Sequence, residues 1–166
     1  SIPFAASENQ AALKTDGTLW VWGTNTYGQL GLGNTTQYFT PQQVGTDNDW
    51  SKLCNADSYM LALKSNGTLW GWGLNWAGQL GNGTTTSNNT PLQSGTATNW
   101  TAIAGGSSSS VGLQADGTVW AWGSNSEGQV GDNTILDRHV PVPVSGLAGV
   151  SDLAAGHNHT LALKLD

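Results

Sequence analysis

His157 and His159 flank Asn158 near the end of this 166-residue chain, and they have the look of a metal-binding pair. Comparison along the chain weakens that reading. At intervals of 50 residues upstream of His159 stand Ser109, Tyr59 and Asn9, so the position belongs to a repeating framework. Asp137 and His139 straddle Arg138, but no serine or cysteine is tied to them, and they read as solvated loop charges. Asp47-Asn48-Asp49 lacks the ligand spacing of a calcium loop. Gly28-Gln29-Leu30-Gly31 has the outline of a phosphate cradle; with no lysine or helix signal after it, it reads as turn chemistry. Cys54 is the single cysteine, which excludes a disulfide framework within the chain, and its apolar repeat equivalents Phe4, Ala104 and Ala154 mark it as a core thiol. No catalytic residue, metal site or cofactor is expected.

Aromatic side chains are the better binding candidates. Trp76 stands where Thr26 and Ser126 occupy the same repeat position, so the framework does not demand a ring there. Tyr27, Tyr38 and Phe39 are likewise unrepeated aromatics, on segments expected to be loops. Loops on a rigid scaffold are where binding residues tend to sit. The pairs Trp20/Trp22, Trp70/Trp72 and Trp120/Trp122 do recur, and they are assigned to packing between repeats.

The elements that hold these residues follow a period of 50. Residues 16–23 (DGTLWVWG) return as 66–73 and 116–123, and Gly28-Gln29-Leu30-Gly31 returns as 78–81 and, with Val130, as 128–131. Pro41, Pro91 and Pro141 keep the same interval. The chain divides into repeat 1 (1–50), repeat 2 (51–100), repeat 3 (101–150) and the start of a fourth (151–166) in one array. A period near 50 points to a propeller or solenoid, because one such unit cannot bury its own apolar faces.

Within repeat 2, Lys52-Leu53-Cys54 is a short apolar run, and Met60-Leu61-Ala62-Leu63-Lys64 alternates with the period of a strand. Asn66-Gly67 signals a two-residue hairpin turn, and Thr68-Leu69-Trp70-Gly71-Trp72 puts both indoles on one face. A fourth short strand is expected after Pro91, at an outer edge where proline is tolerated. The fold class is therefore all-β: propeller blades of four antiparallel strands, three full blades plus the first strands of a fourth. Ala12, Ala62, Gly112 and Ala162 make a small face, and the tryptophan face of one blade is expected to pack on the small face of the next.

The wording D-G-T-L-W-x-W-G, then N-x-x-G-Q-L-G, a loop, a proline and finally Gly156-His157-Asn158-His159-Thr160-Leu161-Ala162-Leu163 resembles repeats of the regulator of chromosome condensation family. The resemblance covers essentially the whole chain, and its Trp-, Asn- and Thr-rich style is closest to the bacterial, often extracellular, branch. It implies a closed ring of about seven blades, more than are present here. A blade face measures roughly 300 Å², enough to mark an interaction surface when left open. The missing blades are expected from the rest of a longer protein, from a second copy of the chain, or from another polypeptide.

Composition narrows the partners. The net charge is −6, and the five Lys and Arg residues are scattered, so nucleic acid is not an expected partner. No apolar run reaches the 18 residues of a membrane-spanning helix. The chain lacks an initiating methionine and a visible signal peptide, as expected of a processed product or a piece of something longer. The leading expectation is a non-catalytic interaction or scaffold module of a secreted or surface protein. A carbohydrate-binding propeller using loop aromatics is the alternative. Nucleotide exchange on a small GTPase, which the resemblance also implies, is disfavoured by the acidity and the few blades.

Overall fold

A computed structural model of the chain describes residues 8–164; residues 1–7, which the sequence assigns to repeat 1, and 165–166 lie outside it. Among the described residues blade 1 is a three-stranded sheet of β1 (Asn9–Leu13), β2 (Leu19–Gly23) and β3 (Tyr38–Gln43). Blade 2 holds β4 (Trp50–Asn55), β5 (Tyr59–Lys64), β6 (Leu69–Gly73) and β7 (Asn88–Gln93) as four antiparallel strands in chain order. Blade 3 repeats this with β8 (Trp100–Gly105), β9 (Ser109–Gln114), β10 (Val119–Gly123) and β11 (Arg138–Pro143). The half-blade β12 (Val150–Ala155) and β13 (Thr160–Lys164) completes the described chain.

Alternation in β5 sets the pattern. Leu61 and Leu63 face one side, Met60 and Ala62 the other, and all four are buried because a blade lies on each side. The turn that follows departs from the two-residue form. Gly67 N donates to Lys64 O and Lys64 N to Thr68 O, a three-residue loop in which Gly67 alone has positive φ (76°). Asn66 caps it, its Oδ1 accepting from Thr68 N at 3.1 Å and Thr68 Oγ1 at 2.7 Å. Only glycine fits at Gly67, where a Cβ would stand 2.2 Å from Thr98 O. The last strand also differs from expectation: β7 begins at Asn88, so Pro91 lies inside it. That is tolerated because β7 is the sheet edge and needs no amide donor on its free side.

Packing between blades corrects the expected contact of indoles with alanines. Ala62 is paired in register with Trp70 and Met60 with Trp72, so the small residues share a face with the indoles of their own sheet. They make room for the rings: a Cβ on Gly112 would lie 2.7 Å from Trp100 Cζ3. The opposing surface is aliphatic. Trp50, Met60, Ala62 and Trp72 of blade 2 meet Leu19, Val21, Leu30 and Val44 of blade 1. Trp100 and Trp122 of blade 3 meet Leu61, Leu63, Leu69 and Leu80 of blade 2 in the same way. Each fully buried indole contributes roughly 4–6 kcal/mol as an upper bound from its area.

Candidate interaction surfaces

Two internal seams show what joins one blade to the next. Trp72 Nε1 donates to Gln29 O at 3.0 Å, and Trp122 Nε1 donates to Gln79 O at 2.8 Å. The glycine two residues on leaves space for the ring, since a Cβ on Gly31 or Gly81 would fall 2.7 or 2.8 Å from the indole nitrogen. The other indole of each pair bonds within its own blade, Trp70 Nε1 to Thr68 Oγ1 at 2.9 Å and Trp120 Nε1 to Thr118 Oγ1 at 3.1 Å. A second clasp crosses each seam: Gly33 N donates to Asn89 O, and Gly83 N to His139 O, both at 2.8 Å. Gly-Gln-Leu-Gly is thus the socket for the neighbouring blade, a role that turn chemistry alone did not reveal.

A buried asparagine shapes each socket. Asn75 Oδ1 accepts from Leu80 N at 2.9 Å, while its Nδ2 donates to Thr84 O and Thr86 O at 3.0 and 3.1 Å. Asn25 and Asn125 do the same in their blades. The sequence reading carries them as the first letter of N-x-x-G-Q-L-G without a role, and their strict recurrence was the signal. In blade 3 the loop carries charge where the others carry amides. Asp132 accepts from Thr134 Oγ1 at 2.7 Å and from Arg138 Nε at 2.5 Å. These bonds, the Thr134 hydroxyl foremost, hold its carboxyl down at about 2. Cys54 is partly buried against the core between blades 2 and 3, and its desolvation pushes the thiol up to about 12, away from a reactive thiolate.

The expected binding aromatics separate into different settings. Trp76 (59% exposed) and Tyr27 (46%) stand on the loops after β6 and β2. Tyr38 and Phe39 lie within β3, not on a loop. Tyr38 packs on the core between blades 1 and 2, and its hydroxyl accepts from Asn34 Nδ2 at 3.3 Å. Phe39 is 85% exposed at the position where Asn89 and His139 lie under the Gly28 and Gly78 turns of the preceding blade. Among the described residues no ring contact joins Trp76, Tyr27 and Phe39. His157 and His159 are exposed, with His157 Nε2 3.7 Å from an Asp57 oxygen. Among the described residues no group of three or more His, Cys, Asp or Glu side chains is placed to hold a metal.

Family models now match what the geometry repeats. The regulator of chromosome condensation (RCC1) repeat matches residues 16–63, 66–113 and 116–163, and a second model of that repeat matches 100–129. The chain belongs to the RCC1 repeat family. Over 40 residues it is 52% identical to the X-linked retinitis pigmentosa GTPase regulator of Canis lupus familiaris, and 50% identical to that of Homo sapiens. Those segments are 24% of this chain and 4% of each relative. Prp20p of Saccharomyces cerevisiae, whose structure was described with its binding to Gsp1p and histones, aligns with 98% of this chain and 43% of its own. The TM-score is 0.85 at 18% identity, a likeness of fold. Human WBSCR16 aligns with 96% of this chain and 56% of its own, at TM-score 0.63 and 20% identity. This RCC1-repeat chain therefore spans less than half of Prp20p.

RCC1 repeats and blades are out of phase. Residues 66–113 hold β6 and β7 of blade 2, then β8 and β9 of blade 3. A run of whole RCC1 repeats thus carries the last two strands of a blade at one end and the first two at the other. The two ends of this RCC1 array show the matching halves of a seam. Trp22 is only half-buried, and among the described residues no carbonyl meets its indole nitrogen. Gln129 and Gly131 form the third socket, with Val130 N held by Asn125 Oδ1 at 2.9 Å as in the occupied ones.

Proposed function

We propose that this chain is a non-catalytic protein-interaction segment that works inside a completed propeller ring. The RCC1-repeat fold commonly mediates protein interactions, and Prp20p and its complex with Kap60 are instances at the level of fold. The observation that carries the reading is the pair of unmatched half-seams, Trp22 at one end and the Gln129–Gly131 socket at the other. Further blades, from a longer chain or a second copy, complete them, and the loops then present side chains the framework does not use. Two copies joined in register (residues 1–150 followed by 1–166) should melt at a higher temperature than one copy and bind less of a hydrophobic dye. Equal melting temperatures would show that the ends do not call for blades.

A second reading is favoured by one residue. Trp76 is exposed and unrepeated, a flat ring of the kind that stacks on sugars, so we also propose a carbohydrate-binding role for the loop after β6. A glycan array read with the wild type and Trp76→Ala tests it: signal lost in the variant supports the reading, and no signal on any glycan removes it.

A further inference from the structure

We propose that Asn82-Gly83 is a site of spontaneous covalent modification, kept unreacted by the closed seam between blades 2 and 3 and released to react when that seam opens. Both sides of this seam lie within the described residues.

Asn-Gly is the asparagine pair that cyclises most readily, because glycine lets the backbone bend its amide onto the preceding side chain. The chain holds two such pairs, Asn66-Gly67 and Asn82-Gly83. In the reaction the Gly83 amide nitrogen gives up its proton and bonds to Asn82 Cγ, and ammonia leaves to form a cyclic imide. Water then opens the imide at either carbonyl. One product is an aspartyl residue at 82. The other is its isoaspartyl isomer, with one more atom in the main chain and a carboxylate set off to the side.

The electrophile is already prepared. Asn82 Oδ1 accepts from Thr84 Oγ1 at 2.9 Å, Thr84 N at 3.1 Å and Asn75 Nδ2 at 3.3 Å. These donors draw charge from Cγ and stabilise the oxyanion that attack creates. What is withheld is the nucleophile. Gly83 N donates to His139 O of blade 3 at 2.8 Å, so a carbonyl of the neighbouring blade holds its proton. At the other pair the restraint is local: Gly67 N donates to Lys64 O at 2.9 Å inside its own hairpin. Opening the seam therefore frees Gly83 and leaves Gly67 as it was.

The two products act differently on the seam. Blade 3 carries Asp132 at the register of Asn82, and its Oδ1 accepts from Thr134 N, Thr134 Oγ1 and Asn125 Nδ2 at 3.0, 2.7 and 3.3 Å. An aspartyl product fits the same donors in blade 2. The isoaspartyl product lengthens the main chain between Gly81, which makes room for the Trp122 ring, and Gly83, which makes the clasp. Their spacing is then lost, and a seam that has opened is hindered from closing again.

Peptide mapping after incubation in mildly alkaline buffer tests this, using a protease that cuts at tryptophan so that residues 66 and 82 fall on separate peptides. Asn82 should deamidate at least about 10-fold more slowly in the native chain than in concentrated urea. Trp122→Phe keeps most of the ring and loses its bond to Gln79 O. The native rate at Asn82 should then rise about 5-fold, with Asn66 unchanged. Gly81→Ala, which crowds the same indole, opens the seam by a second route and should act in the same direction. Asn82→Asp should keep a urea midpoint near that of the wild type, while the isoaspartyl fraction of aged protein should unfold at lower urea. Equal rates at Asn82 in native and unfolded chains overturn the proposal. So does an Asn82 rate that neither variant changes, or that rises only in step with Asn66, since opening is then local fraying or global unfolding.

Discussion

Replacing Trp72 by alanine measures how much of this fold lives in a neighbour's surface. The ring is fully buried, lies 6.0 Å from the Trp50 ring, and donates across the seam to Gln29 O. Removing a buried tryptophan costs about 3–5 kcal/mol, and leaving the Gln29 carbonyl unpaired adds about 1 kcal/mol. At about 2–4 °C per kcal/mol for a chain of this size, the melting temperature should fall by roughly 8–24 °C. Trp72→Phe keeps most of the area and loses the bond, so about 1–2 kcal/mol is expected. The decisive comparison is Trp22→Ala in dilute protein. The same residue at the same position of its strand has no preceding blade among the described residues, and its removal should cost less than half as much. Urea titrations of the three variants give the numbers. Equal losses at Trp22 and Trp72 would refute the reasoning, because stability would then come from each sheet alone.

Gly81→Ala and Gly131→Ala place a side chain at nearly the same positive φ, a strain of about 1–2 kcal/mol, but only the first drives a Cβ to 2.8 Å from an indole nitrogen. Gly81→Ala should therefore lose at least twice the stability in the same urea titration. Asp132, held at about 2 against an ordinary 3.8, lends stability that is present above about pH 4 and lost as the pH falls through about 2. Asp132→Asn should flatten that part of the acid-unfolding curve. Cys54 should ignore a thiol reagent in the native chain and react once urea unfolds it, since its thiol is pushed up to about 12. Trp76→Ala should leave the unfolding free energy in the urea titration unchanged within about 0.5 kcal/mol, being an exposed substitution.

The strands were legible because their periodicity is imposed by burial on both faces. Leu61-Ala62-Leu63 can alternate in no other way once blades lie on either side. The direction of the packing was not legible. Alternation assigns Ala62 and Leu61 to opposite faces, yet only the register of β5 on β6 reveals that Ala62 lies beside Trp70 in one sheet. The hairpin was misjudged for a similar reason. Asn-Gly suits a two-residue turn locally, but Asn66 Oδ1 accepts from Thr68 N and Thr68 Oγ1 while Lys64 N pairs with Thr68 O, and this capped pattern, repeated at Asp16 and Asp116, is the three-residue form. Tyr38 and Phe39 looked like loop residues because β3 starts before its proline, and Phe39 looked like a ligand aromatic because its equivalents in the other blades are polar. In the structure it stands where the next clasp would form. Trp76 keeps its candidacy, since neither seam uses its position.

The seams also explain how this fold survives at 18% identity to Prp20p. What crosses from blade to blade is largely backbone: a glutamine carbonyl, glycine amides, and carbonyls of the edge strand. Backbone groups are the same in every sequence, so a seam needs only an indole, two or three glycines that keep the main chain accessible, and an aliphatic layer of sufficient volume. Few positions are thereby committed, and nearly all of them lie in the strands and in the socket. Side chains at 26, 76 and 126, or at 135 and 136 where Ile135 and Leu136 are 70% and 63% exposed, carry no part of the lock. Selection for a partner can act there without touching stability. Fold resemblance therefore transfers the blades and their seams but not the ligand, and the residues free to distinguish one RCC1-repeat protein from another are those that the period of 50 fails to reproduce.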